Sequence, residues 1–428
     1  MSTTSPSRRS RQDSKKKKER KAAAEQPANS ETATSPAEAA VTTASGKAGD
    51  PTAPSATPEA ADSDSTSALT SDLLREIYLT RPDRLPCFYD GGEPKTDAKA
   101  RSEALREAVG DLKSVDRHEA KGIEKLLKRA LRRDGKPTTE KRGEPKPAAA
   151  YHSEADQLSV LRNDWTDRAV QLAVDWSKPD MRIEMFVGDE KILDGRMGPQ
   201  VRLGGTVCEP SGPWEEICWE SNVDVDYLEL EIDLAGGVRL QRQIVLTRRD
   251  GCLYLADAVL AARPANLACE LAIPFVPSSE FTPAVETREA AVRIGKHRLL
   301  LLPLGLREWR TETSYGDLTF EAGHIALRQQ APTADALYVP LCLVYDKKRA
   351  NRDCTWRRLT VGENLRLVAL NEACGYRWQL GNEHWLAYRS LTEERANRTV
   401  LGVNLQTNFL LSRFTTDGDS EPLIEIDD

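Results

Sequence analysis

Residues 227–260, YLELEIDLAGGVRLQRQIVLTRRDGCLYLADAVL, leave this chain little choice of fold class. Leu228, Leu230, Ile232 and Leu234 share one parity, and Tyr227, Glu229, Glu231 and Asp233 share the other. That period of two marks a strand with one buried face. Ala235-Gly236-Gly237 supplies a first turn and Asp250-Gly251 a second. Asp-Gly suits a two-residue hairpin, whose positions must both tolerate positive φ. Three consecutive antiparallel strands are expected. Arg242 falls on the inward parity with Val238, Leu240, Ile244 and Leu246, and Asp257 does so with Leu253, Leu255 and Val259. The two face each other directly or lie diagonally, depending on which residues form the loop. A buried guanidinium needs a partner, so Arg242 and Asp257 are expected to form a structural ion pair.

Short alternating segments separated by turn residues continue from Tyr151 onward, among them 181–187, 201–207, 267–275, 324–329, 337–345 and 383–390. No stretch after Tyr151 reads as a long helix. The expected fold is mainly β, a large antiparallel β-supersandwich over residues 150–428. Residues 1–70 differ: Ser, Thr, Ala, Pro and charge, with almost nothing large and apolar. Such a segment buries too little surface to offset its ordering entropy, so a disordered tail is expected. Its basic run from Arg8 to Lys21, including Lys15, Lys16, Lys17, Lys18, Arg20 and Lys21, suits weak contact with nucleic acid or another anionic surface. Residues 71–149 read as a short helical segment and linker. Its best helix, at 116–133, carries Ala120, Ile123, Leu127, Ala130 and Leu131 at helical spacing and a basic opposite face.

No apolar run reaches the 18 or so residues that a membrane helix needs, so no transmembrane segment is expected. The charged N-terminus lacks the apolar core of a secretory signal, which points to a cytoplasmic protein. The eight cysteines are then expected to be reduced. None is paired in a C-x-x-C, and the five histidines are scattered without short spacing. Neither a metal nor a cofactor is expected. Two aromatic clusters stand out as ligand-binding candidates. Trp214, Glu216 and Trp219 lie in one, with Glu216 and Glu220 expected on an outward face. Tyr376, Trp378, His384 and Trp385 flank an expected hairpin at Gly381-Asn382 in the other. Exposed tryptophan stacks on sugar rings, and paired carboxylates serve glycosidic acid–base chemistry. Core packing is the competing role for both.

Three stretches resemble the C-terminal β-sandwich of heparinase II/III-like polysaccharide lyases. They are residues 153–165 (SEADQLSVLRNDW), 182–195 (RIEMFVGDEKILDG) and 240–257 (LQRQIVLTRRDGCLYLAD). Near the C-terminus, 388–391 and 397–405 are similar to planctomycete-type proteins carrying this sandwich. The resemblance implies a supersandwich that, in the lyases, works beside an α/α toroid and a histidine-containing loop. Here that loop reads Ser177-Lys178-Pro179-Asp180, without histidine, and few residues before Tyr151 are expected to be ordered. Abstracting a proton beside a uronate carboxylate needs a base, an acid and charge neutralisation on one sugar. The expectation is therefore a non-catalytic binding or scaffolding module for a glycan or a protein. The alternatives are a polysaccharide-active enzyme, lyase or hydrolase, whose acid–base pair includes Glu216 or His384, and an interaction protein tethered by its basic tail.

Overall fold

The computed structural model describes residues 59–131, 148–166, 168–394 and 396–427. The basic run at 8–21 lies outside them. Helix α1 (Glu59–Tyr78) begins inside the segment expected as tail; its start is rich in alanine and acidic residues, which suit a helix N-terminus. Helices α2 (Pro94–Val115) and α3 (Arg117–Ala130) follow. Asp116 caps α3, its carboxylate accepting from the amides of His118 (2.8 Å) and Glu119 (2.9 Å). The three helices bury Ile77, Leu105, Leu112, Ile123 and Leu127 against one another.

The described residues form one compact unit, so the helices belong with the sheets. Buried polar groups join them. Glu184, on the Met181–Val187 strand, is 1% exposed and accepts from Arg81 (3.2 Å) and the Phe88 amide (2.9 Å), with Lys191 2.8 Å away. Arg162 lies over Trp165 and donates to the Tyr78 carbonyl at 3.0 Å. Burial lowers its pKa to about 10.

The β region is mainly antiparallel and stacks in layers. A five-stranded sheet runs in sequence order from Tyr151–Ser153 to Glu190–Met197. An eleven-stranded sheet holds the Val225–Leu234, Val238–Thr247 and Cys252–Pro274 meander at its centre. A second five-stranded sheet spans Cys354–Leu359 to Ser420–Ile426, and a four-stranded sheet packs near it. One core cluster joins the first sheet to Leu228, Leu230, Ile244 and Leu255. Another joins Tyr227, Val245 and Tyr254 of the same central strands to Trp356, Trp378, Trp385 and Phe409. The central sheet is thus covered on both faces.

That burial corrects the half-buried reading of the meander. Tyr227 and Glu229 are 0% and 1% exposed. They are tolerated because a hydrogen-bond chain satisfies them. Tyr254 meets Tyr338 at 2.9 Å, Tyr338 donates to Gln243 (2.5 Å), Gln243 donates to Tyr227 (2.8 Å), and Tyr227 donates to Glu229. Arg389 closes the chain 2.6 Å from Glu229. On the other face Arg242 pairs directly with Asp257, both 0% exposed, through two bonds of 2.7 and 2.8 Å. A third bond reaches the Met197 carbonyl at 2.5 Å.

One turn and two strands depart from expectation. Leu246 pairs with Leu253, so the second turn is longer than the Asp250-Gly251 pair. Asp250 is held inside by Trp385 (3.2 Å) and Arg413 (3.0 Å), while Gly251 takes φ 70° with Asp346 packed against it. The segments expected at 267–275, 324–329 and 337–345 prove to be parts of two continuous strands, Cys252–Pro274 and His324–Val344, paired along most of their length. Pro264 and Pro332 sit where the register shifts, a place where a strand tolerates the missing amide.

Arg242→Met leaves a buried, unpaired Asp257, and the expected loss is about 3–5 kcal/mol. Arg242→Met/Asp257→Leu should recover most of it. Urea denaturation of the three proteins checks this, and equal losses in single and double variants would show that the pair is not the cause.

Candidate functional site

The Pro210–Ser221 strand carries the first aromatic cluster, and a bulge decides where its side chains go. Glu216 pairs with Leu230 and Cys218 with Glu229, leaving Ile217 as the extra residue, 40% exposed. Trp214, Glu216 and Trp219 therefore share the face that looks toward the first sheet. This corrects the outward reading of Glu216. Trp214 is 1% exposed, donates to the Pro179 carbonyl (2.9 Å) and lies 5.3 Å from the Arg242 guanidinium. It is a core residue, unable to stack on a ligand.

Glu216 meets a residue that sequence spacing gave no reason to connect with it. His152 Nε2 lies 2.9 Å from Glu216 Oε2, and its Nδ1 lies 2.8 Å from Ser159 Oγ. The imidazole is stacked between Trp219 (4.5 Å) and Trp176 (5.8 Å). Burial lowers the His152 pKa and raises that of Glu216, with Glu154 raising Glu216 further. Desolvation thus works against charge on either member. Ser159 is fully buried and offers no accessible nucleophile.

The second cluster splits. Tyr376, Trp378 and Trp385 are 2%, 1% and 1% exposed, facing the central sheet. Trp378 and Trp385 are direct cross-strand partners with rings 6.0 Å apart. His384 lies beside Arg377, 2.8 Å from Nδ1, with its pKa lowered by burial and then by Arg377. The hairpin turns at Gly381-Asn382 as expected. Glu216 and His384 stand in different sheets and form no acid–base pair with each other. Of the eight tryptophans only Trp309, on which no expectation rested, is more than a third exposed, at 45%.

A polar cavity of about 390 Å³ opens beside the 177–180 loop. Asp180, Arg196, Gln200, Glu209 and His324 line it, from segments far apart in sequence. Arg196 holds the loop, donating to the Asp180 carbonyl at 3.2 Å with its Nε 3.6 Å from the carboxylate. Gly198 lets this wall close: a Cβ there would come within 2.9 Å of Asp180 Oδ1. His324 arrives from the start of its own long strand. No short motif announces this convergence; the pairing of Pro274 with His324 is one of the long-range contacts that bring it about. Among the described residues no group of three or more His, Cys, Asp or Glu could hold a metal ion. No helix there is long and apolar enough to cross a membrane.

No family model matches the chain, and no curated protein does. Solved structures do. A heparinase III gene product superposes with TM-score 0.50 at 13% identity, over 76% of this chain and 51% of its own. Heparan sulfate lyase HepC from Pedobacter heparinus gives 0.50 at 11% identity, over 74% and 52%. A further heparinase III gives 0.50 at 9%, over 77% and 55%. The chain spans about half the length of these proteins and has the heparinase III-type fold in that part. At such identities the likeness is one of fold.

The depressed pKa of His152 has a measurable consequence. Between the folded value and the unfolded value near 6.5, the unfolded chain binds a proton that the folded chain does not. Stability is then lost as pH falls below about 6.5. His152→Asn should flatten that part of the stability–pH curve in urea titrations. An unchanged slope would show that His152 does not carry the shift.

Proposed function

We propose that this chain is a non-catalytic saccharide-binding module on a lyase-type supersandwich, with its ligand held at the cavity beside the 177–180 loop. The convergence of Arg196, Gln200, Glu209 and His324 on one opening carries the reading. The volume, about 390 Å³, lies within the range of about 300–1,000 Å³ common to small-ligand sites. Guanidinium, carboxamide, carboxylate and imidazole groups match the hydroxyl and acidic substituents of a polysaccharide. One structural relative is named as a heparan sulfate lyase, which makes acidic glycans the first ligands to try. Binding is favoured over cleavage because Arg196 is already engaged by Asp180. A proton abstraction needs a free base and a free cation on the same sugar. The rival reading, a polysaccharide-cleaving enzyme, draws its support from the nearness of His324 to Arg196 in that cavity.

Titration calorimetry of the full chain with heparan sulfate oligosaccharides tests both. Arg196→Ala and His324→Ala are each expected to weaken binding about tenfold, or about 1.4 kcal/mol. No unsaturated uronate should form. Ultraviolet-absorbing product would establish cleavage, and affinity indifferent to both substitutions would move the site elsewhere.

A further inference from the structure

The Cys354–Leu359 strand, CTWRRL, lies at one end of its five-stranded sheet and pairs with Ala373–Leu380 alone. Among the described residues no backbone hydrogen bond reaches its other edge. A strand edge with unpaired N–H and C=O groups is a template for another chain. Proteins commonly cover such an edge, and here the 303–312 loop approaches it without closing. Trp356 donates to the Leu306 carbonyl (3.0 Å) and Thr355 to Glu308 (2.8 Å). Between loop and strand an open cavity of about 370 Å³ remains. The far side of the loop is held by Arg288, which donates to the carbonyls of Arg307 (3.0 Å), Trp309 and Glu312 (2.8 Å). The slot therefore has two supported walls, one of them carrying exposed Trp309.

Charge selects what fits. Arg307, Arg357 and Arg358 line the slot together with Glu308 and Glu312, and Glu308 is already held by the Thr355 hydroxyl, so cationic groups predominate. Arg307 reaches a carboxylate only at 3.9 Å, on Glu312; Arg357 feels Glu308 electrostatically without closing to an ion pair, and among the described residues Arg358 has no ion pair. Consecutive residues on a strand point to opposite faces. A compact anion can meet Arg357 or Arg358, whereas an extended chain presents alternate side chains to both. A second copy of this strand would oppose arginine with arginine, and the basic run at 8–21 has the wrong sign. We propose that this edge takes up an extended acidic segment of a partner protein as an added strand. Main-chain bonds at the usual spacing of about 4.8 Å supply the attachment, and the arginines supply the preference for acidic side chains.

The test uses the full chain and synthetic peptides of about six residues, the length of a typical strand. One alternates Val and Glu, one Val and Gln, one Val and Lys; a heparan sulfate fragment is the comparison. Binding is followed by tryptophan fluorescence and by amide hydrogen exchange at 354–359. The acidic peptide should bind at least tenfold more tightly than the Gln peptide and slow exchange at 354–359. Arg357→Glu/Arg358→Glu should lose the acidic peptide and gain the Lys peptide, with circular dichroism confirming the fold. Arg196→Ala, at the other cavity, should leave peptide binding unchanged. Binding that slows no exchange at 354–359, or that survives the charge reversal, overturns the proposal. So does protection of this edge by the heparan sulfate fragment alone.

Discussion

A sheet covered on both faces forces every side chain on its inner strands out of water, polar ones included. In this chain that requirement falls on the Val225–Leu234, Val238–Thr247 and Cys252–Pro274 strands. Each face meets it with one network. Toward the first sheet the Arg242–Asp257 fork is completed by a backbone carbonyl and the Trp214 ring. Toward the third layer the Tyr254–Tyr338–Gln243–Tyr227–Glu229 chain ends on Arg389. Burial raises the pKa of these phenols, so they remain hydrogen-bond donors across the ordinary pH range. A buried network of this kind ties two layers in one register.

Both cavities lie where this layered core stops. The polar cavity gathers the 177–180 loop, the end of the first sheet and the start of the His324–Val344 strand. The slot lies at a sheet edge, between the Cys354–Leu359 strand and the loop that follows His297–Leu302. The buried tryptophans fix the layers that bring these rims together. Trp214 ties the Pro210–Ser221 strand to the 177–180 loop, and Trp356 ties the edge strand to Leu306.

Much of the fold was legible from alternation, because a period of two survives whatever lies on the far side of a strand. The inward parity of Arg242 and Asp257 was readable for that reason. The second burial of Tyr227 and Glu229 was not: a polar parity looks the same in sequence whether it meets water or Arg389, 160 positions away. The sites were the least legible part. The bulge at Ile217 reversed the expected direction of Glu216, and the approach of His152, His324 and Arg196 to their partners depends on long-range pairing. Core packing, set beside ligand binding for both aromatic clusters, describes Trp214, Tyr376, Trp378 and Trp385.

The two long strands, Cys252–Pro274 and His324–Val344, also impose an order of events on the newly made chain. Cys252 must find Val344, and Pro274 must find His324, so the nearest contacts of this ladder close first and the farthest last. Until residues 324–344 have left the ribosome, the Cys252–Pro274 strand has one long edge without its eventual partner, on an apolar sheet. Non-local pairing of this kind is slow, and such an edge invites association with other nascent chains. The strand that unifies the finished molecule is thus its greatest exposure while it is being made.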